Sequence, residues 1–187
     1  MGVRVRSLVA IAAVIAAAFP GVGAGQPAPP APDTEVARTL EGRWVLAIDR
    51  GEAQRRVDTA IGSVTRQMVP IVSSIAQRRL RTYNPLAATV EIAFPGDRIR
   101  IGFDDQSFDT RAGYEQTVTV PEQEPSRVRV HQAIRGRELV QVFSTDEGRR
   151  WNTLSIEDDG TLAFQVVIRS AGLPTDIRYQ LPYRRAP

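Results

Sequence analysis

Apolar and polar residues alternate with two different periods along this chain, and the point where one gives way to the other sets its organisation. Trp44 to Ile48 reads as a short strand. From Asp49 onward Val57, Ala60, Ile61, Val64 and Met68 recur at three- and four-residue steps, with Arg55, Arg56, Asp58 and Arg66 on the other faces, the spacing of an amphipathic helix. Asp49 and Glu52 are spaced as a capping box, so the helix is expected to begin there. Pro70 breaks or restarts it, Ile71, Val72, Ile75, Ala76 and Leu80 carry the pattern to about Tyr83, and Asn84-Pro85 ends it.

Beyond Pro85 the period falls to two, with turn residues roughly every eight to twelve positions, which predicts an antiparallel meander. Val90, Ile92 and Phe94 lead into Pro95-Gly96-Asp97 and are answered by Ile99, Ile101 and Phe103. A short segment around Phe108 and another from Tyr114 to Val120 follow. Val128, Val130 and Ile134 precede an Arg135-Gly136-Arg137 turn, then Leu139 to Phe143, then Trp151 to Ile156 after Asp146-Glu147-Gly148. Asp158-Asp159-Gly160 is a hairpin signal before Leu162, Phe164, Val166 and Ile168, and the last strand carries Ile177, Tyr179, Leu181 and Tyr183 on one face. The expectation is a mainly β fold, an antiparallel up-and-down β-barrel of about 8–10 strands with a helical pair inserted between strands 1 and 2. A helix-grip fold also opens with a strand and two helices, but it ends in a long helix, whereas this chain ends in strands interrupted by Pro174 and Pro182.

This order of elements resembles the calycin superfamily, in particular its fatty-acid-binding-protein branch, whose wider membership includes the lipocalins. Leu40-Glu41-Gly42-Arg43-Trp44 is similar to the family's opening Gly-x-Trp, and Tyr183-Arg184-Arg185 to its aromatic-then-basic ending. The resemblance implies that Gly42 and Trp44 close one end of the barrel, with Arg184 or Arg185 as a cationic cover on the tryptophan. It also implies a small apolar or amphipathic ligand in the interior. On the last strand Arg178 is directly followed by Tyr179, so the family's arginine-x-tyrosine grip on a fatty-acid carboxylate is not reproduced.

The beginning of the chain reads as an address. Arg4 and Arg6 precede an apolar run from Leu8 to Phe19, and Val22 and Ala24 are placed for cleavage, the arrangement of a secretory signal over residues 1–24. The run falls short of the ~20 residues that span a bilayer, so the expected product is exported, periplasmic or secreted, with no membrane span after signal cleavage. Residues 25–37, with Gln26-Pro27-Ala28-Pro29-Pro30-Ala31-Pro32, are expected to form a proline-rich linker. Residues 38–187 are one domain's worth of chain. The absence of cysteine excludes a lipidated cysteine, disulfides and thiolate metal sites, and fits a bacterial envelope.

Composition narrows the partners. All 24 basic residues are arginine, and loss of Arg4 and Arg6 with the signal lowers the formal charge from +3 to +1. The arginines are interleaved with 21 acidic residues rather than clustered, so no nucleic-acid partner is expected.

No catalytic constellation and no cofactor motif emerges. His131 is the only histidine and sits mid-strand, which excludes an imidazole metal site, and no Gly-x-Ser-x-Gly turn is present. Asp104-Asp105 and Asp158-Asp159 read as turn residues rather than paired acids, because neighbours on a strand face opposite ways. Ser144-x-Asp146-x-Gly148-x-x-Trp151 resembles an Asp-box hairpin, but a single copy is only a hairpin.

The open question is the strand arginines, Arg98, Arg100, Arg127, Arg129 and Arg178, which lie out of phase with the apolar residues. That phase places them in solvent, although a guanidinium turned into a small barrel would clamp an anionic head group. The candidate ligand-binding set is Phe103, Trp151, Phe164, Tyr179, Tyr183, Arg100 and Arg129. Three readings follow: an exported lipocalin-like carrier, a non-enzymatic envelope interaction domain with a filled barrel, and a barrel enzyme. A connected cavity of several hundred cubic ångströms favours the first, a filled interior the second, and convergent charged pairs the third.

Overall fold

The computed structural model describes residues 34–119 and 127–187. The expected signal, most of the proline-rich linker and Val120 at the end of the expected fifth strand lie outside the described residues. The chain runs α1 (Thr34–Leu40), β1 (Gly42–Leu46), α2 (Arg50–Thr65), α3 (Pro70–Tyr83), β2 (Thr89–Ala93), β3 (Arg98–Phe103), β4 (Gln106–Arg111), β5 (Glu115–Thr119), β6 (Arg127–Arg135), β7 (Glu138–Ser144), β8 (Gly148–Ile156), β9 (Leu162–Ser170) and β10 (Ile177–Arg185). All strands among the described residues belong to one antiparallel sheet of ten, in the order β4-β3-β2-β1-β10-β9-β8-β7-β6-β5. Strands consecutive in sequence therefore pair, except β4 and β5, and β1 joins β10 so that the first and last strands lie side by side. The result is the mainly β, nearly closed barrel with a helical pair between the first and second strands that the element order predicted.

The seam lies between β4 and β5, which share no ladder among the described residues. Gln132 on β6 bridges it from inside: its side-chain amide donates to the Thr110 hydroxyl at 2.8 Å and to the Phe108 carbonyl at 3.2 Å on β4. The Gly113 N–H, in the turn between β4 and β5, donates to the Gln132 carbonyl at 2.7 Å.

Strand parity decides what fills the interior. Ile134, Leu139, Leu154, Phe164 and Leu181 stand opposite one another across five strands, and the last four are buried in the main core. Deeper, Trp44 is 2% exposed and its indole N–H donates to the Leu40 carbonyl at 2.9 Å, tying α1 to β1. α1 has no counterpart in the sequence reading; its Leu40 is fully buried under the barrel.

The helical pair divides into a packed and an unpacked member. Asp49 caps α2, accepting the Glu52 N–H at 3.1 Å, while the Glu52 carboxylate takes Arg56 at 2.6 Å instead of returning to the cap. Val57, Ile61 and Val64 are buried against the barrel, as their spacing predicted. α3 starts at Pro70, where a missing N–H costs nothing, but none of its residues is buried. Its stripe stays largely open: Ile71 is 74%, Val72 48% and Ile75 55% exposed. Apart from its end, α3 is held by polar contacts to α2, Arg81 to Asp58 at 2.7 Å and Gln77 to Thr65 at 3.0 Å.

Candidate functional site

An interior row runs across β6, β7 and β8 one step above the apolar core, and it is polar. Gln132 lies opposite Gln141, and Gln141 opposite Asn152; all three are 0% exposed. The next row up places Val130, Phe143, Arg150, Ile168 and Ile177 side by side. A guanidinium thus enters the barrel wall among apolar neighbours. Arg150 donates through Nε to Asn152 Oδ1 at 2.8 Å and through Nη1 to Asn84 Oδ1 at 3.0 Å. Asn84 follows α3 directly, and its amide nitrogen donates to the Leu80 carbonyl at 2.8 Å, finishing the helix. No carboxylate among the described residues pairs with Arg150.

Above this row the barrel is open. A space of about 2260 Å³, counting its mouth, separates the underside of α3 from the inner wall. Leu80 and Asn84 line it from the helix side, Phe103, Phe143, Arg150, Asn152, Phe164 and Ile168 from the barrel side. The same space reaches the seam, where Ser107, Asp109, Thr117 and Arg129 border it. Phe103 and Phe164 meet with ring centroids 5.5 Å apart, and Phe164 meets Tyr183 edge-on at 6.0 Å, a rigid aromatic floor.

The seven proposed ligand contacts separate on this geometry. Phe103 and Phe164 border the open space directly. Tyr179 and Tyr183 face inward beneath it, and burial pushes both phenols above their ordinary range, with nearby Arg150 opposing the rise. The Tyr183 hydroxyl donates to the Ala87 carbonyl at 2.8 Å. Trp151 stands on the outer face, opposite Val142 and Val167, with the Arg169 guanidinium 5.5 Å above its ring. The reason is parity: Asn152 and Leu154 point inward, so their neighbour cannot.

Arg100 is also on the outer face. It shares Asp109 with Arg98, at 2.9 and 2.6 Å. Desolvation alone would raise the Asp109 pKa, but the hydrogen bonds from Arg100 and Arg98 outweigh it and hold the carboxyl below its ordinary value. Arg129 faces outward on β6, borders the space only at the seam, and pairs with Glu115 at 3.5 Å. Arg178 pairs with Asp176 at 2.8 Å.

The closure set is assembled with one exchange. Gly42 has φ +132°, so the backbone requires glycine, and a Cβ there would meet Arg185 Nη1 at 2.8 Å, displacing the end of that side chain. The guanidinium that passes over it lies 4.6 Å from the Trp44 ring and donates to the Glu41 and Thr39 carbonyls, each at 2.9 Å. Arg185 is therefore the cover, because it shares inward parity with Tyr183; Arg184 stands opposite Val45 and is exposed.

Arg150, Asn152, Gln132, Gln141 and Asn84 were absent from the candidate set. The available signal was the phase of Leu154 and Ile156, which puts Arg150 and Asn152 on the inner face of β8. Trp151 and the charged pair Arg149-Arg150 obscured it.

No protein-family model and no curated protein matches the chain. Solved structures do match. The REP1-NXSQ fatty acid transporter aligns with TM-score 0.47 and 15% identity over 80% of this chain and 98% of its own. The fluorescent protein UnaG aligns with TM-score 0.48 and 19% identity over 80% and 99%. Zebrafish ileal bile acid-binding protein, complexed with cholic acid, aligns with TM-score 0.46 and 13% identity over 79% and 99%. The fold itself is given by the topology of this chain, ten meandering antiparallel strands among the described residues with the helical pair after the first.

Proposed function

We propose that this protein is an exported carrier that holds one small amphipathic molecule, its acidic head on Arg150 and its apolar body among Phe103, Phe143, Phe164 and Ile168 under α3. One observation carries the reading: a guanidinium without a carboxylate partner lines a large, partly aromatic cavity. An unpaired charge turned from bulk water is costly, and a ligand oxyanion would remove that cost with a charge-assisted hydrogen bond. The rest of the lining is mostly apolar, as a carrier site requires. Arg150 meets only carboxamide oxygens, so no acid–base pair forms at the guanidinium itself, which favours binding over reaction there. Export rests on the leader read in residues 1–24.

The test is a titration of a long-chain carboxylic acid against the alcohol of equal length. The acid should bind about 10- to 100-fold more tightly, the range for a hydrogen bond to a charged group. Arg150→Gln should bring the acid down to the alcohol. Equal binding of both by the wild type would refute the reading.

A further inference from the structure

The polar interior row is a chain with a direction. Gln132 Nε2 donates to Thr110 Oγ1 at 2.8 Å, to the Ile99 carbonyl at 3.1 Å and to the Phe108 carbonyl at 3.2 Å. Its Oε1 accepts from Gln141 Nε2 at 3.3 Å, and Gln141 Oε1 accepts from Asn152 Nδ2 at 2.8 Å. Asn152 Oδ1 then accepts from Arg150 Nε at 2.8 Å. A carboxamide can be turned over, exchanging its donor and acceptor ends. This chain cannot be, because both of its ends are committed. At the seam, a reversed Gln132 would set its oxygen against two backbone carbonyls. At the cavity, a reversed Asn152 would face an N–H with an NH₂. Only one arrangement of the three amides satisfies both, and no buried side-chain polar atom among the described residues is left without a partner.

We infer that Gln132, Gln141 and Asn152 are positioning residues for Arg150, a relay that carries the polarity of the β3 and β4 carbonyls across three strands and fixes which edge of the guanidinium meets the ligand. A guanidinium has five N–H donors. Asn152 takes the one on Nε and Asn84 takes one on Nη1, which leaves one on Nη1 and two on Nη2. All remaining capacity is donor capacity, on a terminal edge whose guanidinium is held at two points before the ligand arrives. That edge selects a head group with two acceptor oxygens and no proton to offer, such as a carboxylate, sulfonate or sulfate. It discriminates against hydroxyl and amine heads beyond what charge alone does, since preorganisation removes the ordering cost only for the matching geometry. The inference rests on the carrier reading above and goes further in assigning specificity to three buried amides, of which only Asn152 borders the cavity.

Two fluorescent probes separate these levels: 1-anilinonaphthalene-8-sulfonate and its uncharged counterpart N-phenyl-1-naphthylamine, which lacks only the sulfonate. The wild type should prefer the sulfonate, and Arg150→Gln should abolish that preference. Gln132→Met, which keeps the length of the side chain but frees the relay, should weaken the sulfonate probe by about threefold to tenfold while leaving the neutral probe unchanged. A merely structural role would weaken both probes together. Side-chain amide NMR signals of the wild type supply a reading that needs no variant. The Gln132, Gln141 and Asn152 signals should shift with the sulfonate probe and stay still with the neutral one. If the wild type shows no preference, the carrier reading itself fails. If the preference depends on Arg150 but survives Gln132→Met, or if the three amide signals ignore the sulfonate, the relay alone is overturned.

Discussion

A single side chain can be asked for two unrelated things, and Gly42 shows it. Its φ of +132° is open to glycine and strained for any other residue, and the space a Cβ would take is occupied by Arg185 Nη1 at 2.8 Å. Gly42→Ala should therefore destabilise the fold by about 1–3 kcal/mol, and most of that loss should persist in the double variant with Arg185→Ala, because removing the guanidinium relieves the clash and not the backbone. Urea unfolding of the three variants checks this; full recovery in the double variant would show that only the clash mattered. The Gly-x-Trp motif was legible because glycine and tryptophan each leave a unique mark in sequence. Its arginine was not, since Arg184 and Arg185 are adjacent and parity alone separates them.

Elements, in contrast to residues, were largely readable from periodicity, and the two helices show where that ends. α2 and α3 both carry apolar stripes, yet only α2 buries its stripe. Spacing reports that a face is apolar and says nothing about what stands opposite it, and opposite α3 stands a cavity. A helix held by an exposed ion pair and a few amide bonds has little to lose on opening. At its far end the chain is fastened firmly: the Asp104 carboxylate accepts from the Ala88 and Thr89 N–H groups at 3.0 and 2.8 Å, and Tyr183 holds Ala87. Opening is thus expected to pivot between Asn84 and Ala87. Native-state hydrogen exchange should find α3 amides exchanging through local opening well below the global stability while the α2 core amides approach it. Asn84→Ala should lower protection in α3 alone. Equal protection in both helices would show that α3 does not open separately.

At the scale of the molecule, the fold followed from element order, while the site had to wait for the barrel to close. Ten strands and a helical pair can be counted in a sequence. Which parity faces inward is set by the shared register of all of them, and at β8 two apolar signals conflict: Trp151 favours one face, Leu154 and Ile156 the other. The inward face won on the larger apolar row, and it carried Arg150 inside with it. The arginines that stood out in sequence, Arg98, Arg100, Arg129 and Arg178, meet Asp109, Glu115 and Asp176 on the outside. The buried glutamines were invisible for a similar reason, because a satisfied amide in a barrel and a solvated one on a surface have the same neighbours in sequence.

If the cavity under α3 holds an acidic amphiphile in the native protein, native mass spectrometry of protein purified from its own source should detect it. The expected species is a polypeptide shortened by about the first 24 residues, carrying one small molecule that solvent extraction recovers as an acid with an apolar body. Recovery of bare protein that also fails to bind long-chain acids would contradict that occupancy.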